Sequence, residues 1–416
     1  MKVVFYHELP ASEGVSLRDV LLGKVPSSGG LGRIYVSTQI AHFGVQVVVL
    51  HHLASSEKIE QVEGVTAVRV GTADEVITFI KTLERSDVAV LNFFDGVAGL
   101  IAACASARCH KLLWAGCNPP SDWCDWLDGQ QLDRIVCVSQ AAARQYRFQR
   151  NFNRVDHIYS SLSTGQALPD PENPVPGRVA FLGALREEKG FQHVLTAWPL
   201  VRKAFPEATL DVHGSIRLHF PRSEVGQTGV LTPQFERRYL DPIVTEAGGD
   251  WNRLGIRFTF PQAKPALLQQ LAKTWVGVVN PNLRGSIETY CLSAVEMQAC
   301  GCPCIGAGVG GLLETIADKQ SGYHLKTQKP SELAGRILEV LRDPGLRARL
   351  SAGAVAHSAA LASTAREAKD WIRLMGDVVE GRLVVHPPSM LRDVIAASGI
   401  LRMIRMAVRR VKSVQI

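Results

Sequence analysis

Glu288 and Glu296, with seven residues between them, stand in the stretch NPNLRGSIETYCLSAVEMQACGCPCIGAGVGGLLETIADKQSGY over 280–323. The pattern turns apolar at T-Y-C-L-S-A-V, where a helix is expected to begin. Tyr290, Cys291 and Leu292 then lie at a helix start, whose unbonded backbone N–H groups suit phosphate. A carboxylate repels phosphate but accepts strongly from sugar hydroxyls. Glu288 is therefore read as a sugar-binding acid, and Glu296, about two turns into the helix, as an acid within reach of a ribose diol. A pair of solvated surface acids is the alternative. That alternative leaves unexplained the Gly-rich GAGVGG turn and Glu314 that follow at the next expected strand end.

Three further stretches fall at expected strand ends. FLGALREEKGF (181–191) runs from a strand into a helix and places Arg186 and Lys189 where cations meet an entering diphosphate. Its alternative is a solvated helix start, because Glu187 and Glu188 also suit a helix N-terminus. SSGGLGR (27–33) opens a helix, and Gly29 and Gly30 allow close backbone approach to a ligand. It lacks the dinucleotide G-x-G-x-x-G fingerprint, and a plain flexible loop explains it nearly as well. WAGCNPPSDW (114–123) offers Asn118, a hydrogen-bond donor that cannot serve as an acid or base near neutral pH.

The elements needed to hold these residues alternate along the chain. Apolar strands at 3–6, 45–50, 66–70, 88–91, 111–114, 135–138 and 157–159 are separated by amphipathic helices, which implies a parallel sheet covered on both faces. STGQALPDPENPVPG (163–177), with four prolines, reads as a linker. The alternation restarts at 179–184 and continues through 209–214, 256–260, 276–281 and 304–308. The expected organisation is two doubly wound α/β domains, 1–165 and 178–385, facing across a cleft. The residues between Gly214 and Ile256 read as an irregular insertion, a flap. The last segment, 388–416, is a basic amphipathic helix with Arg402, Arg405, Arg409 and Arg410 opposite an apolar stripe. It either returns to the first domain or rests on an anionic membrane surface.

Composition narrows the classes. With 416 residues, 46% hydrophobic and 20% charged, the chain has room for two globular cores. A net charge of +7 favours anionic partners without demanding one. Nine cysteines without a C-x-x-C pair fit buried thiols in a reducing compartment better than a zinc site or disulfides. MKVVFYHELP reads as a first strand and not a leader, and no segment carries 18 uninterrupted apolar residues. The arginines at 144, 147, 150 and 154 read as a solvated helix face, so a nucleic-acid partner is not expected.

E-x7-E, A-x-G-x-P-x-I, V-G-G-L-x-E and S-G-Y, together with G-x-L-x-x-x-K-G over 183–190 and LDVHG ending at Gly214, resemble the retaining glycosyltransferases of the GT-B fold, the family 4 type. SGGLGR and DRIVCVSQAA (133–142) resemble the family's first domain more loosely. The resemblance implies that Glu288 binds donor-sugar hydroxyls and Glu296 the ribose. Lys189 would neutralise the diphosphate, Gly214 would lie at the nucleotide, and Gly29 and Gly30 would close from the first domain. It further implies no metal or other cofactor, a nucleotide-sugar donor carrying UDP, GDP or ADP, and a hydroxyl acceptor on a glycan, lipid or small molecule. The expected location is cytoplasmic, with peripheral contact at the inner membrane face through the tail helix.

Two positions depart from the family. Ala184 stands where its phosphate-binding arginine usually is, so Arg186 or Arg284 is expected to supply that charge. Cys117 and Asn118 stand where a first-domain histidine usually is. A sugar-nucleotide-binding subunit with weakened catalysis is therefore a second expectation, and a GT-B epimerase a third. Acceptor contacts are expected at 92–96, at 114–126 and at His51-His52, with Phe94, Trp114 and Trp123 as stacking candidates or core aromatics.

Overall fold

The computed structural model describes residues 1–7, 17–18, 29–53, 57–92, 94, 96–119, 125–128, 131–162, 173–218, 220, 222–259, 263–284 and 288–386. Eight strands form the first sheet: β1 (Lys2–His7), β2 (Gln46–His51), β3 (Ile59–Val62), β4 (Val65–Arg69), β5 (Val88–Asn92), β6 (His110–Ala115), β7 (Arg134–Cys137) and β8 (Val155–His157). Their order is β3-β4-β2-β1-β5-β6-β7-β8, and only β3 runs antiparallel to its neighbour. Six parallel strands form the second: β9 (Arg178–Leu182), β10 (Thr209–His213), β11 (Ile256–Thr259), β12 (Val276–Val278), β13 (Cys304–Ala307) and β14 (Gly322–Leu325), in the order β11-β10-β9-β12-β13-β14. Runs such as VAVLN in β5 are buried at every position, as strands covered on both faces must be.

Strand order reverses at β1/β5 in the first sheet and at β9/β12 in the second. Crevices for ligands form beyond the carboxyl ends at such switch points. The loops leaving β9 and β12 carry Lys189 and Glu288, and β1 and β5 end on His7 and Asn92. The expected pair of doubly wound domains is therefore present, and its topology selects the residues that matter.

Several elements depart from the sequence expectation. β3 is a short edge strand, half of it polar, turned by Glu63 and Gly64, both at positive φ, so no apolar alternation announces it. The insertion after Gly214 is anchored and not a flap. Val230 and Leu231 are fully buried, and the Glu236 carboxylate accepts from the amides of Gln227 and Thr228 at 2.8 Å each. Among the described residues, the helix Thr364–Val379, inside the span expected to belong to the second domain, packs on the first. Its Trp371 is fully buried against Trp114 (ring centroids 4.6 Å) and Phe5 (6.1 Å). The tail helix at 388–416, the stacking candidate Trp123 and most of the linker lie outside the described residues. Among those described, no helix is long and apolar enough to cross a membrane.

The helix Thr364–Val379 brings one buried acid with it. Glu367, 1% exposed, accepts from the Ser161 amide at 2.5 Å, and burial raises its carboxyl from the ordinary 4.5 to about 7. The folded state thus holds this proton more tightly than the unfolded chain does. Stability from this group is complete below pH 4.5 and falls as pH rises towards 7, by an order of 3 kcal/mol once deprotonation is complete. Urea midpoints at pH 5 and pH 8 are expected to differ less in Glu367→Gln than in the wild type. An unchanged difference would mean that this carboxyl is not what the rising pH destabilises.

Candidate functional site

Lys189 and Glu288, 99 positions apart, meet at the carboxyl edge of the second sheet. The ammonium donates to both carboxylate oxygens, at 2.9 and 2.7 Å, and Asn280 Nδ2 donates to Glu288 Oε2 at 2.8 Å. The Glu288 side chain is 10% exposed and Lys189 37%, so the pair lies at the cleft surface with the acid recessed. Local backbone explains how it is held. Lys189 ends a short 3-10 turn, closed by Gly190 at φ +75, and a Cβ on Gly190 would lie 2.9 Å from the Asn282 amide. Only glycine allows both the left-handed turn and that approach. Asn280 itself sits at φ +28, an uncommon conformation for a non-glycine residue.

The GAGVGG turn packs beneath Glu288. Gly311 donates its amide to the Glu288 carbonyl at 2.7 Å, and a Cβ there would come within 2.3 Å of the Thr289 carbonyl. Gly214 has a similar structural task, since a Cβ would meet the Gly183 carbonyl at 2.0 Å, too close to be accommodated. The family resemblance implies Gly214 at the nucleotide, and the structure sets it against the loop that leads to Lys189.

Glu296 is 5% exposed and paired through Oε1 with the equally buried ammonium of Lys264, a residue the sequence reading did not single out. Arg186 does not join Lys189. Its guanidinium binds Glu188 (3.1 Å) and lies over the Phe220 ring (4.9 Å), while Ala184 is buried. Of the expected helix-start amides, that of Leu292 is bonded to the Tyr290 carbonyl at 3.2 Å. Tyr290 is 8% exposed and turns into the first domain's core near Tyr159, so it joins the domains.

Other contacts bring the first domain up to this loop. Thr289 donates to the Gly116 carbonyl at 3.1 Å, and Ser139 Oγ donates to the Thr289 carbonyl. Glu314 accepts from the amides of Gln140 and Ala141, at the start of the first domain's Gln140–Arg144 helix, and from the Tyr159 hydroxyl at 2.6 Å. Glu314 is thus an interdomain clamp, placed where helix N–H groups attract a carboxylate. Asn118, two residues beyond Gly116, is half-buried, with its Oδ1 buried and lacking a hydrogen-bond partner. Trp114, 1% exposed, is core and not a stacking surface, whereas His52 is held at the Tyr6 hydroxyl (2.8 Å) beside Phe94. Gly29 and Gly30 begin the 14-residue helix Gly29–His42.

Residues 170–356 match the family model described as Glycosyl transferases group 1. This stretch is a group 1 glycosyltransferase domain, and the fold around it is GT-B. The glycosyltransferase of Rickettsia africae ESF-5 covers 91% of this chain and 98% of its own at TM-score 0.64 and 14% identity. Anabaena Alr3699/HepE covers 91% and 100% at TM-score 0.62 and 13% identity. Likeness at such identity establishes the fold alone. A D-inositol 3-phosphate glycosyltransferase of Nocardiopsis dassonvillei is 35% identical over 237 residues, 56% of this chain and 53% of that protein. The chain thus spans about half the length of this curated relative. Within the group 1 domain, Lys189, Glu288, Glu296 and Glu314 all fall inside the matched residues.

Proposed function

We propose that this protein is a metal-independent, retaining glycosyltransferase that moves a hexose from a nucleotide sugar to a hydroxyl of a glycan, lipid or small-molecule acceptor. The observation that carries the reading is the Lys189–Glu288 pair at the β9/β12 switch point, facing first-domain loops. A donor entering there gives Lys189 a diphosphate in place of the carboxylate. Glu288, still held by Asn280, accepts from sugar hydroxyls. Lysine and backbone amides supply the positive potential that the departing diphosphate needs. In the reading implied by the family resemblance, the acceptor oxygen bonds C1 on the face from which the phosphate leaves. The C1–phosphate oxygen bond breaks, and the acceptor proton passes to that phosphate. The Anabaena protein was solved with UDP-glucose, which makes UDP-hexoses the first donors to test. The reaction is assigned to the cytoplasm.

A thermal-shift panel of UDP-, GDP- and ADP-hexoses tests the donor side. The true donor, at about a hundred times its dissociation constant, is expected to stabilise the fold by about 2.7 kcal/mol. No response to any nucleotide sugar or nucleoside diphosphate would defeat the reading. Ala184 and Asn118 favour a second one, a nucleotide-sugar-binding subunit with weak catalysis. Tight donor binding without transfer or hydrolysis would select it, and NMR of a product's anomeric configuration would test retention.

A further inference from the structure

We propose that Arg33, in the helix that opens at Gly29-Gly30, binds the donor's diphosphate from across the cleft and replaces the cation that Ala184 removes from the second domain. This rests on the donor-binding reading above. A diphosphate carries at least two negative charges, and the second-domain cation that the structure sets beside Glu288 is Lys189. Arg186 is engaged elsewhere.

Arg33 lies where the deficit is. Its guanidinium stands 5.5 Å from the centre of the Trp114 ring and packs so closely on Gly116 that a Cβ there would lie 1.9 Å from Nη2. Gly116 is the residue whose carbonyl receives Thr289, the neighbour of Glu288. The cation therefore borders the loop that carries the sugar-binding acid. Among the described residues, Arg33 has no carboxylate within ion-pair distance. Glu367, the acid that most favours its charge after the Cys117 thiol, is turned to the Ser161 amide. Burial depresses the guanidinium below its ordinary range, so an anion would be bound with little competing water.

A second donor lies near the guanidinium. His7, 1% exposed, receives Asn92 Nδ2 at Nδ1, which leaves the ring hydrogen on Nε2, and that atom is buried without a partner. Burial first, then the nearby Arg33 charge, lowers His7 to about 3, so it stays a neutral donor throughout the working range. A guanidinium fork beside a neutral N–H suits a phosphate oxygen pair. The sugar end of the donor faces Glu288, so Arg33 meets the β-phosphate and not the α.

Titration calorimetry with UDP, GDP and ADP, and with the matching monophosphates, tests this in wild type, Arg33→Ala and Arg33→Lys. For the diphosphate that the wild type binds, Arg33→Ala is expected to weaken affinity about 10- to 100-fold and Arg33→Lys by less. Monophosphate affinity should change by less than about threefold, because the interaction lost is to the β-phosphate. Unchanged diphosphate affinity in both variants, with Lys189→Ala weakened, would overturn the assignment of Arg33 alone. So would equal losses for mono- and diphosphate, which mark a structural role, or an effect confined to the acceptor's KM, which marks an anionic acceptor. A wild type that binds none of the three diphosphates would overturn the donor-binding reading as well. Arg33→Lys, with its melting temperature measured in parallel, keeps the test decisive if the alanine variant does not fold.

Discussion

Lys189→Ala is expected to lower transfer by about 10²- to 10³-fold, the usual loss when one preorganised group facing developing charge is removed. Lys189 is 37% exposed and its partner acid retains Asn280, so the fold should survive with little change in melting temperature. Glu288→Gln, which keeps the shape and the ability to accept from Asn280 but loses the charge, is expected to fall nearly as far. The two losses should not add. Each variant leaves the other member without the partner that positions it, and groups acting as one unit are non-additive. The measurement is kcat and KM for each single variant and the double. Near-wild-type turnover in both singles would remove the central pair from the mechanism. A double variant as slow as the product of the singles would separate their roles.

What the sequence revealed follows from how each signal arises. Strands β5, β9 and β13 were visible because burial on both faces demands unbroken apolar runs. Glu288 and Lys189 were visible because close backbone approach requires a glycine beside each, Gly190 in the Lys189 loop and Gly311 in the turn packed beneath Glu288. Residues that act only through distant partners left no local mark. Lys264 reads as an ordinary helix start, Arg33 as the end of a Gly-rich loop, and His7 as the end of a strand. Glu314 was noticed as part of a motif, but its binding of another domain's helix start could not be read from spacing. The packing of the helix Thr364–Val379 on the first domain left no mark either, because Trp371 alone gives no sign of its partners Trp114 and Phe5.

Lys264→Met is expected to destabilise the protein by about 3–5 kcal/mol, because it leaves the Glu296 carboxylate charged and unpaired in the interior. Both side chains of this pair are 7% exposed. The position of the lysine argues that the pair is needed. Lys264 is the first residue of the helix Lys264–Ala272, an end where the backbone dipole disfavours a cation. Its charge is therefore explained by Glu296 and not by the helix that carries it. Through the same pair Lys264 fixes Oε1, while Oε2 makes no hydrogen bond among the described residues and is the atom that would meet a ribose diol in the proposed reading. Lys264→Met with Glu296→Met should recover most of the lost stability, since an apolar pair of similar volume replaces a buried ion pair at little cost. It should not recover donor binding. Urea unfolding of the singles and the double, beside donor KM, tests both halves of this expectation. A single variant that loses under about 1 kcal/mol would mean that the pair is solvated like a surface bridge. A double variant with wild-type donor KM would release Glu296 from the ribose and leave it a purely structural acid.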